Sequence, residues 1–270
     1  MRIATCNVNG VRAAYRKGMG AWLAQATPDV LLLQEVRAPT EVVVGLIGPG
    51  YHVITRPCEI KGRAGVTVAV RDGIEVGAVR DGVAGSAEEE PPVDTGRWLE
   101  VTLPQYDLTV VSAYLHAGVA TDSAKMAAKY AHLGAVTRRL EELRSGQAHS
   151  QLVVAGDFNI VHTPLDITNW KSNHNRTSGV LDEEIAYLDR WLTELGYVDT
   201  ARAIEGEKDG PYTWWSQRGR AFEKNVGWRI DYQMATPEFA RAATHHQVDR
   251  APSYEARFSD HAPVVIDYGV

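Results

Sequence analysis

The sequence predicts an α/β or α+β sandwich with helices on the sheet faces. Three observations carry that expectation. Short apolar runs of strand length recur along the 270 residues. Residues 126–143 and 183–195 carry the three-and-four spacing of amphipathic helices. No repeat, low-complexity tract or linker divides the chain, so one domain over residues 1–270 is expected.

In chain order, residues 2–7 alternate enough for a strand, and 12–26 suit a helix with Trp22 and Leu23 in the core. Pro28-Asp29 turns the chain into Val30-Leu31-Leu32-Leu33, a buried-strand pattern closed by Gln34-Glu35. Further strands are expected at 51–55, 65–70, 74–79, 98–103 and 108–114. Glu88-Glu89-Glu90-Pro91-Pro92 reads as an exposed loop. Met126, Tyr130, Leu133, Val136, Leu140 and Leu143 share one face of a long helix packed on a sheet. Residues 151–155 form a strand that Gly156-Asp157-Phe158-Asn159 breaks. Residues 160–179 are a long polar loop, and loops of that length are usually functional or mobile. A helix follows, with Ile185, Leu188, Trp191, Leu192 and Leu195 on one face, and 229–234 and 264–266 read as closing strands.

Composition is that of an ordinary globular protein, with 44% apolar and 23% charged residues. Cys6 and Cys58 are too few for a disulfide framework, and no charged-then-apolar leader opens the chain, so a reducing, cytoplasmic location is expected. No apolar run approaches the ~20 residues of a membrane span. The net charge of −6 is awkward for a polyanionic partner, but Glu35, Asp157, Asp231 and Asp260 supply four of the negatives. Local clustering has to decide that question.

Four stretches end apolar runs in metal- or phosphate-competent residues: Thr5-Cys6-Asn7-Val8-Asn9-Gly10, Gln34-Glu35, Gly156-Asp157-Phe158-Asn159 and Ser259-Asp260-His261. Each alone is equally an Asx-type turn or a salt-bridged strand end. Together they suggest one shared site. Glu35, with Asn7 and Asp260 near by, offers the hard oxygen ligands that Mg²⁺ prefers. Asp157 could orient or deprotonate a water, and Asn159, two residues on, faces the same side. Asp231, within a strand, needs a partner, and His261 is the natural one, with a core hydrogen bond as the rival. Tyr114 ends a strand and is either a cleft hydroxyl or a core residue. Between Trp214 and Ile230, four basic residues stand against one Glu223 and interleave with Trp214, Trp215, Phe222 and Trp228. Such a mixture meets phosphates and stacks on bases, or else is a solvated loop over core aromatics. Lys171, Asn173 and Arg176 add phosphate-binding capacity in the long loop.

Taken together and in order, these motifs resemble the exonuclease III family of abasic-site endonucleases, in the endonuclease–exonuclease–phosphatase superfamily. Gly65-Val66, Gly96-Arg97, Ala113-Tyr114, the stretch from Lys125 to Lys129, Asp166-Ile167 and Gly227-Trp228-Arg229-Ile230-Asp231 extend the match over the whole chain. The resemblance implies a four-layered α/β sandwich, with two mixed sheets packed face to face and helices outside. It implies hydrolysis of DNA phosphodiesters with Mg²⁺ or Mn²⁺, on double-stranded DNA carrying abasic sites or blocked 3′ ends, by a monomer. Glu35, Asn7 and Asp260 would be the metal residues. Tyr114, Asp157, Asn159, Asp231 and His261 would be catalytic, and Arg97, Lys125, Lys171, Asn173, Arg176, Trp214, Trp228 and Ile230 would bind substrate. Leu115-His116-Ala117-Gly118 departs from the many relatives that carry Pro and then Asn or Gln after the Tyr, and Arg63-Ala64 and Thr95 depart from the common pattern as well. The rivals are a superfamily cousin acting on a phospholipid or phosphoinositide, and a non-catalytic DNA-binding relative.

Overall fold

The computed structural model describes residues 1–84, 90–146 and 151–270. Its strands are β1 Arg2–Asn7, β2 Val30–Gln34, β3 Tyr51–Arg56, β4 Val66–Arg71, β5 Val79–Asp81, β6 Trp98–Leu103, β7 Leu108–Tyr114, β8 Gln151–Asp157, β9 Val198–Asp199, β10 Asp231–Ala235, β11 Ala243–Val248 and β12 Val264–Tyr268. They form two six-stranded sheets, ordered β11-β12-β1-β2-β4-β3 and β5-β6-β7-β8-β10-β9. Each sheet is mixed: β1 and β2 run parallel, as do β7 and β8, among antiparallel neighbours.

The central strands are buried on both faces, which is why they read as unbroken apolar runs rather than alternating ones. Val30 and Leu32 of β2 point into the core between the sheets with Val66, Val68, Val110 and Val153. Leu31 and Leu33 point outward, onto Val11, Leu23, Val43 and Ile47 of the helices Val11–Ala14, Gly20–Ala26 and Thr40–Ile47, and onto Met19 between the first two. On the second sheet, Leu133, Val136 and Leu140 of the helix Ser123–Ser145 cover Val111, Ala113, Leu152 and Val154. The result is helix, sheet, sheet, helix: the four-layered sandwich expected.

Local departures have local causes. The helix expected over 12–26 is interrupted by a wider turn, Tyr15–Met19, where Gly18 takes a φ of 108°. The strand expected at 74–79 is not formed there: residues 72–73 are the turn after β4, 74–78 carry no strand, and β5 occupies Val79–Asp81. β8 continues through Gly156 and Asp157 instead of breaking there. Gly156 permits this: a Cβ at its φ of 146° would lie 1.9 Å from the Ala113 carbonyl of β7. Of the acidic stretch, Glu88 and Glu89 lie outside the described residues; Glu90 turns inward and accepts from the Val83 amide at 2.6 Å. The 160–179 loop contains the short helix Trp170–Asn173. The helices Thr40–Ile47, Thr200–Glu205 and Pro237–Ala240 and the strand β11 had no clear sequence signal.

Candidate active site

The parallel pairs place the carboxyl ends of β1, β2, β7 and β8 at one edge of the sandwich, and Asn7, Glu35, Tyr114 and Asp157 stand there. Polar side chains fasten the sheets together beneath them. Gln34 Nε2 donates to Thr5 Oγ1 and Ser112 Oγ, both at 3.0 Å, and Ser112 Oγ donates to the Leu33 carbonyl at 3.0 Å. This satisfied network joins β1, β2 and β7 in an otherwise apolar core. Four residues at the rim take left-handed backbone: Asn9 (φ 45°), Glu35 (φ 50°), Arg37 (φ 51°) and Asn159 (φ 52°). Such conformations are uncommon outside glycine and recur at functional sites.

A cleft of about 580 Å³ opens on this edge, lined among others by Glu35, Tyr114, Asp157, Asn159, Asp260 and His261. Asn7 lies at its floor and bridges the sheets, donating through Nδ2 to Glu35 Oε1 at 3.1 Å and Asp157 Oδ2 at 2.9 Å. Asn7 Oδ1 accepts from the Asn9 amide at 3.0 Å. That bond fixes the amide so that its nitrogen, not its oxygen, faces the carboxylates. Tyr114 donates its hydroxyl to Glu35 Oε1, and Arg37 pairs with Glu35 Oε2. Asp260 accepts from Asn9 Nδ2 at 2.9 Å and from Trp214 Nε1 at 3.3 Å.

The expected dyad is present: His261 Nδ1 lies 2.9 Å from Asp231 Oδ2. Thr213 Oγ1 donates to the same carboxylate oxygen at 2.6 Å. His261 Nε2 faces Asp157 Oδ2 at 3.8 Å. Burial opposes a charge on His261, but attraction to Asp231 and Asp157 outweighs it and raises its pKa to about 10. Asp157 is pushed up to about 7, first by burial, with His261 opposing and the negative Asp231 adding to the rise. Burial also works to raise Asp260, but His261 and the Asn9 donor prevail and its pKa is lowered. Tyr114 is held well above its ordinary value by burial and the charge of Glu35.

Two ligand sets for a cation suggest themselves here. Asp157, Asp231 and His261 lie closest, each with a ligand atom within 4.8 Å of the others. His261 is committed to Asp231 through Nδ1 and is cationic beside it, so that set fits a proton better than a metal. Glu35 and Asp260 present oxygens to the open cleft, where Asp157 adds negative charge. A hard divalent cation would offset that charge, and the oxygen donors fit one.

On the cleft wall, Trp214 and Trp228 meet edge to face at 5.4 Å. Ile230 packs with them over Val161, Ile167 and Val180. Arg176 lines the cleft as well. The other expected substrate residues lie elsewhere. Arg97 is buried behind Tyr114, its guanidinium 4.7 Å from the ring centre and its Nε donating to the Val93 carbonyl at 2.9 Å. Lys125 pairs with Asp122 at 3.0 Å at the start of its helix. Lys171 borders a separate cavity with Trp170 and Tyr212. Asn173 holds its own turn, donating to the Asn169 carbonyl at 2.9 Å. Asn159 lines the cleft, and its Nδ2 donates to the Leu115 carbonyl at 3.0 Å.

The basic aromatic stretch is less uniform than its composition implies. Trp215 and Phe222 are buried. Arg229 is 2% exposed and bonds Asp166 at 2.7 Å and Asp199 at 2.8 Å. That charge braces the fold and is not available to a phosphate. Sequence reasoning did not assign roles to Asn9, Thr213 or Arg37. Asn9 had a signal, its place in the Asn-x-Asn-Gly strand end; Thr213 and Arg37 had none.

The matched strand ends, the His–Asp dyad and the carboxylate cleft define a phosphoester-hydrolysing class of protein. The chain belongs to the Endonuclease/Exonuclease/phosphatase family, whose model matches residues 4–261. Within that family it is an exonuclease III-type hydrolase. It is 28% identical over 267 residues to the exodeoxyribonuclease of Bacillus subtilis, covering 98% of each chain. A 3′–5′ exonuclease (NExo) from Neisseria meningitidis superposes with a TM-score of 0.86 at 28% identity over 100% of both chains. An AP endonuclease from Archaeoglobus fulgidus does so with 0.84 at 28% identity, again over 100% of both. Among the described residues, no helix is long and apolar enough to cross a membrane.

Proposed function

We propose that the whole chain acts as one DNA phosphodiesterase domain that incises 5′ to abasic sites and also trims and cleans 3′ ends, using Mg²⁺ or Mn²⁺. The observation that carries this is the cleft itself. It joins a poised carboxylate, Asp157, and a cationic His261 to an aromatic wall of Trp214 and Trp228. A lipid-phosphate enzyme would have no use for that wall, whereas an extrahelical sugar or an unpaired base would pack on it.

In the proposed mechanism Asp157 takes the proton of the attacking water, as a carboxylate with a pKa near the working pH does best. His261, held by Asp231, donates a charge-assisted hydrogen bond to a phosphate oxygen. Tyr114, whose hydroxyl bonds Glu35, lines the same cleft. Glu35 and Asp260 would hold the cation, which supplies electrostatic stabilisation of the developing phosphoryl charge. The products would be a 3′-hydroxyl and a 5′-deoxyribose phosphate.

The test uses an end-labelled duplex with one tetrahydrofuran abasic analogue, beside an intact duplex, each with Mg²⁺ or with chelator. A single Mg²⁺-dependent cut at the analogue is expected. A ladder from the 3′ end of both duplexes would make exonuclease the main activity. Failure to cleave either duplex, with hydrolysis of phosphoinositide vesicles instead, would overturn the reading. Trp228→Ala should weaken binding of the abasic duplex by about 1–3 kcal/mol, the range for a lost aromatic platform. Equal affinity in a fluorescence-anisotropy titration would remove that residue from the substrate surface.

A further inference from the structure

Outside the cleft, Asp94, His116 and His132 form a second cluster of ligand-bearing side chains, with one ligand atom of each within 4.8 Å of the others. Asp94 lies in the loop before β6, His116 two residues after β7, and His132 on the helix Ser123–Ser145. His116 Nε2 is 2.5 Å from Asp94 Oδ1, and His132 Nδ1 is 3.9 Å from the same oxygen. The two imidazoles meet edge on, with centres 5.0 Å apart.

The His132 side chain is fully buried, yet neither of its ring nitrogens has a hydrogen-bond partner. A buried imidazole with both nitrogens unsatisfied is costly, and native interiors rarely leave one so. A metal ion would satisfy one of them. We propose that Asp94, His116 and His132 form a zinc site separate from the catalytic cleft, with water as the fourth ligand.

The chemistry of the set supports this choice. Two imidazoles and one carboxylate suit Zn²⁺ and other borderline ions better than Mg²⁺. A tetrahedral ion with bonds of about 2.0–2.1 Å needs ligand atoms about 3.3 Å apart. The observed 2.5 and 3.9 Å from Asp94 Oδ1 to the two histidines straddle that value, and all three ligand atoms lie within 4.8 Å of one another. A cavity of about 150 Å³ reaches Asp94 and His132, with Glu90 and Glu142 on its walls, and gives an ion and a water a way in. Two nearby cations are engaged elsewhere, and a third, Arg138, lines the cavity. Arg97 donates to the Val93 and Tyr114 carbonyls, and Lys129 pairs with Glu184.

An ion here would tie the loop before β6 and the end of β7 to the long helix. Tyr114 and Ala117, which flank His116, both line the catalytic cleft. The site is therefore a brace for one wall of the cleft and takes no part in the chemistry.

The test starts from the full chain carrying Glu35→Gln, which removes the main carboxylate of the cleft. The protein is stripped with chelator, desalted and titrated with Zn²⁺ and, separately, Co²⁺. One equivalent of zinc should survive desalting, thermal stability should rise with zinc, and Co²⁺ should give the intense visible bands of a four-coordinate site. All three should be lost when His132→Gln is added. His116→Gln, at a less buried position, should have the same effect and serves if the first variant does not fold. No retained zinc in the Glu35→Gln protein would overturn the proposal, as would zinc retained equally by the histidine variants. None of these readouts depends on DNA cleavage, so the site can fail without the nuclease reading failing, and the reverse.

Discussion

Asp157→Asn is expected to lower metal-dependent DNA cleavage by about 10²–10⁴-fold, the usual contribution of a positioned general base. The fold should not suffer. Asp157 is 1% exposed, near Glu35 and Asp231, and its carboxyl is pushed up to about 7 by that burial and by the negative charge of Asp231. A carboxyl whose folded pKa lies above its unfolded value favours folding when protonated. The metal-free parent should therefore lose stability as the pH rises from the ordinary carboxylate range towards about 7. Asparagine is isosteric and stays neutral, so the variant should not share that loss. Chemical unfolding in chelator between about pH 5 and pH 8 should show the variant gaining on the parent by a few kcal/mol at most. A variant that cleaves normally would remove Asp157 from the base role. One that loses activity only because it unfolds would show a structural carboxylate instead. His261→Ala should lower cleavage by at least about 10²-fold, as loss of a transition-state donor does.

Lys129→Met is expected to destabilise the protein by about 3–5 kcal/mol, the largest effect of any single change proposed on the fold. Lys129 and Glu184 are both fully buried and lie 2.7 Å apart. Lys129 Nζ also reaches the Ala117 carbonyl at 3.1 Å and the Asn159 carbonyl at 3.0 Å. Glu184 in turn accepts from the Leu181 amide at 3.1 Å and from the Gly179 amide. One ion pair thus anchors the segments at Ala117, Asn159 and Ser178, all of which border the cleft. Removing the ammonium alone strands a buried carboxylate among amides, and Tm should fall by on the order of 10 °C. Adding Glu184→Gln should recover much of that loss, because the uncompensated charge goes with it. A double variant as unstable as the single one would show that Lys129 acts by packing alone.

Much of the architecture was legible because the central strands are apolar on both faces and the long helix carries its face plainly. The site was legible because its residues sit at strand ends, where Asn, Asp and Glu interrupt apolar runs. Asn7, Glu35, Asp157, Asp260 and His261 were named from that pattern, Asp231 from its place within a strand, and the structure gathers them. What the sequence hid depends on three-dimensional choices. Arg229 reads as part of a basic surface but folds inward onto Asp166 and Asp199. Asn7 reads as an oxygen ligand, yet the Asn9 amide turns its nitrogen toward the carboxylates. Lys129 and Glu184 stand 55 residues apart in the sequence. No local pattern announces their pairing, nor the meeting of Asp94, His116 and His132.

The most direct test of the central claim is a single-turnover reaction on the abasic-analogue duplex, with the chemistry of both new ends determined for the parent and for Asp157→Asn. The account predicts one Mg²⁺-dependent cut by the parent, on the 5′ side of the analogue, that leaves a 3′-hydroxyl, and a rate about 10²–10⁴-fold lower for the variant. A 3′-phosphate end, a cut on the other side of the lesion, or equal rates for the two proteins would contradict it.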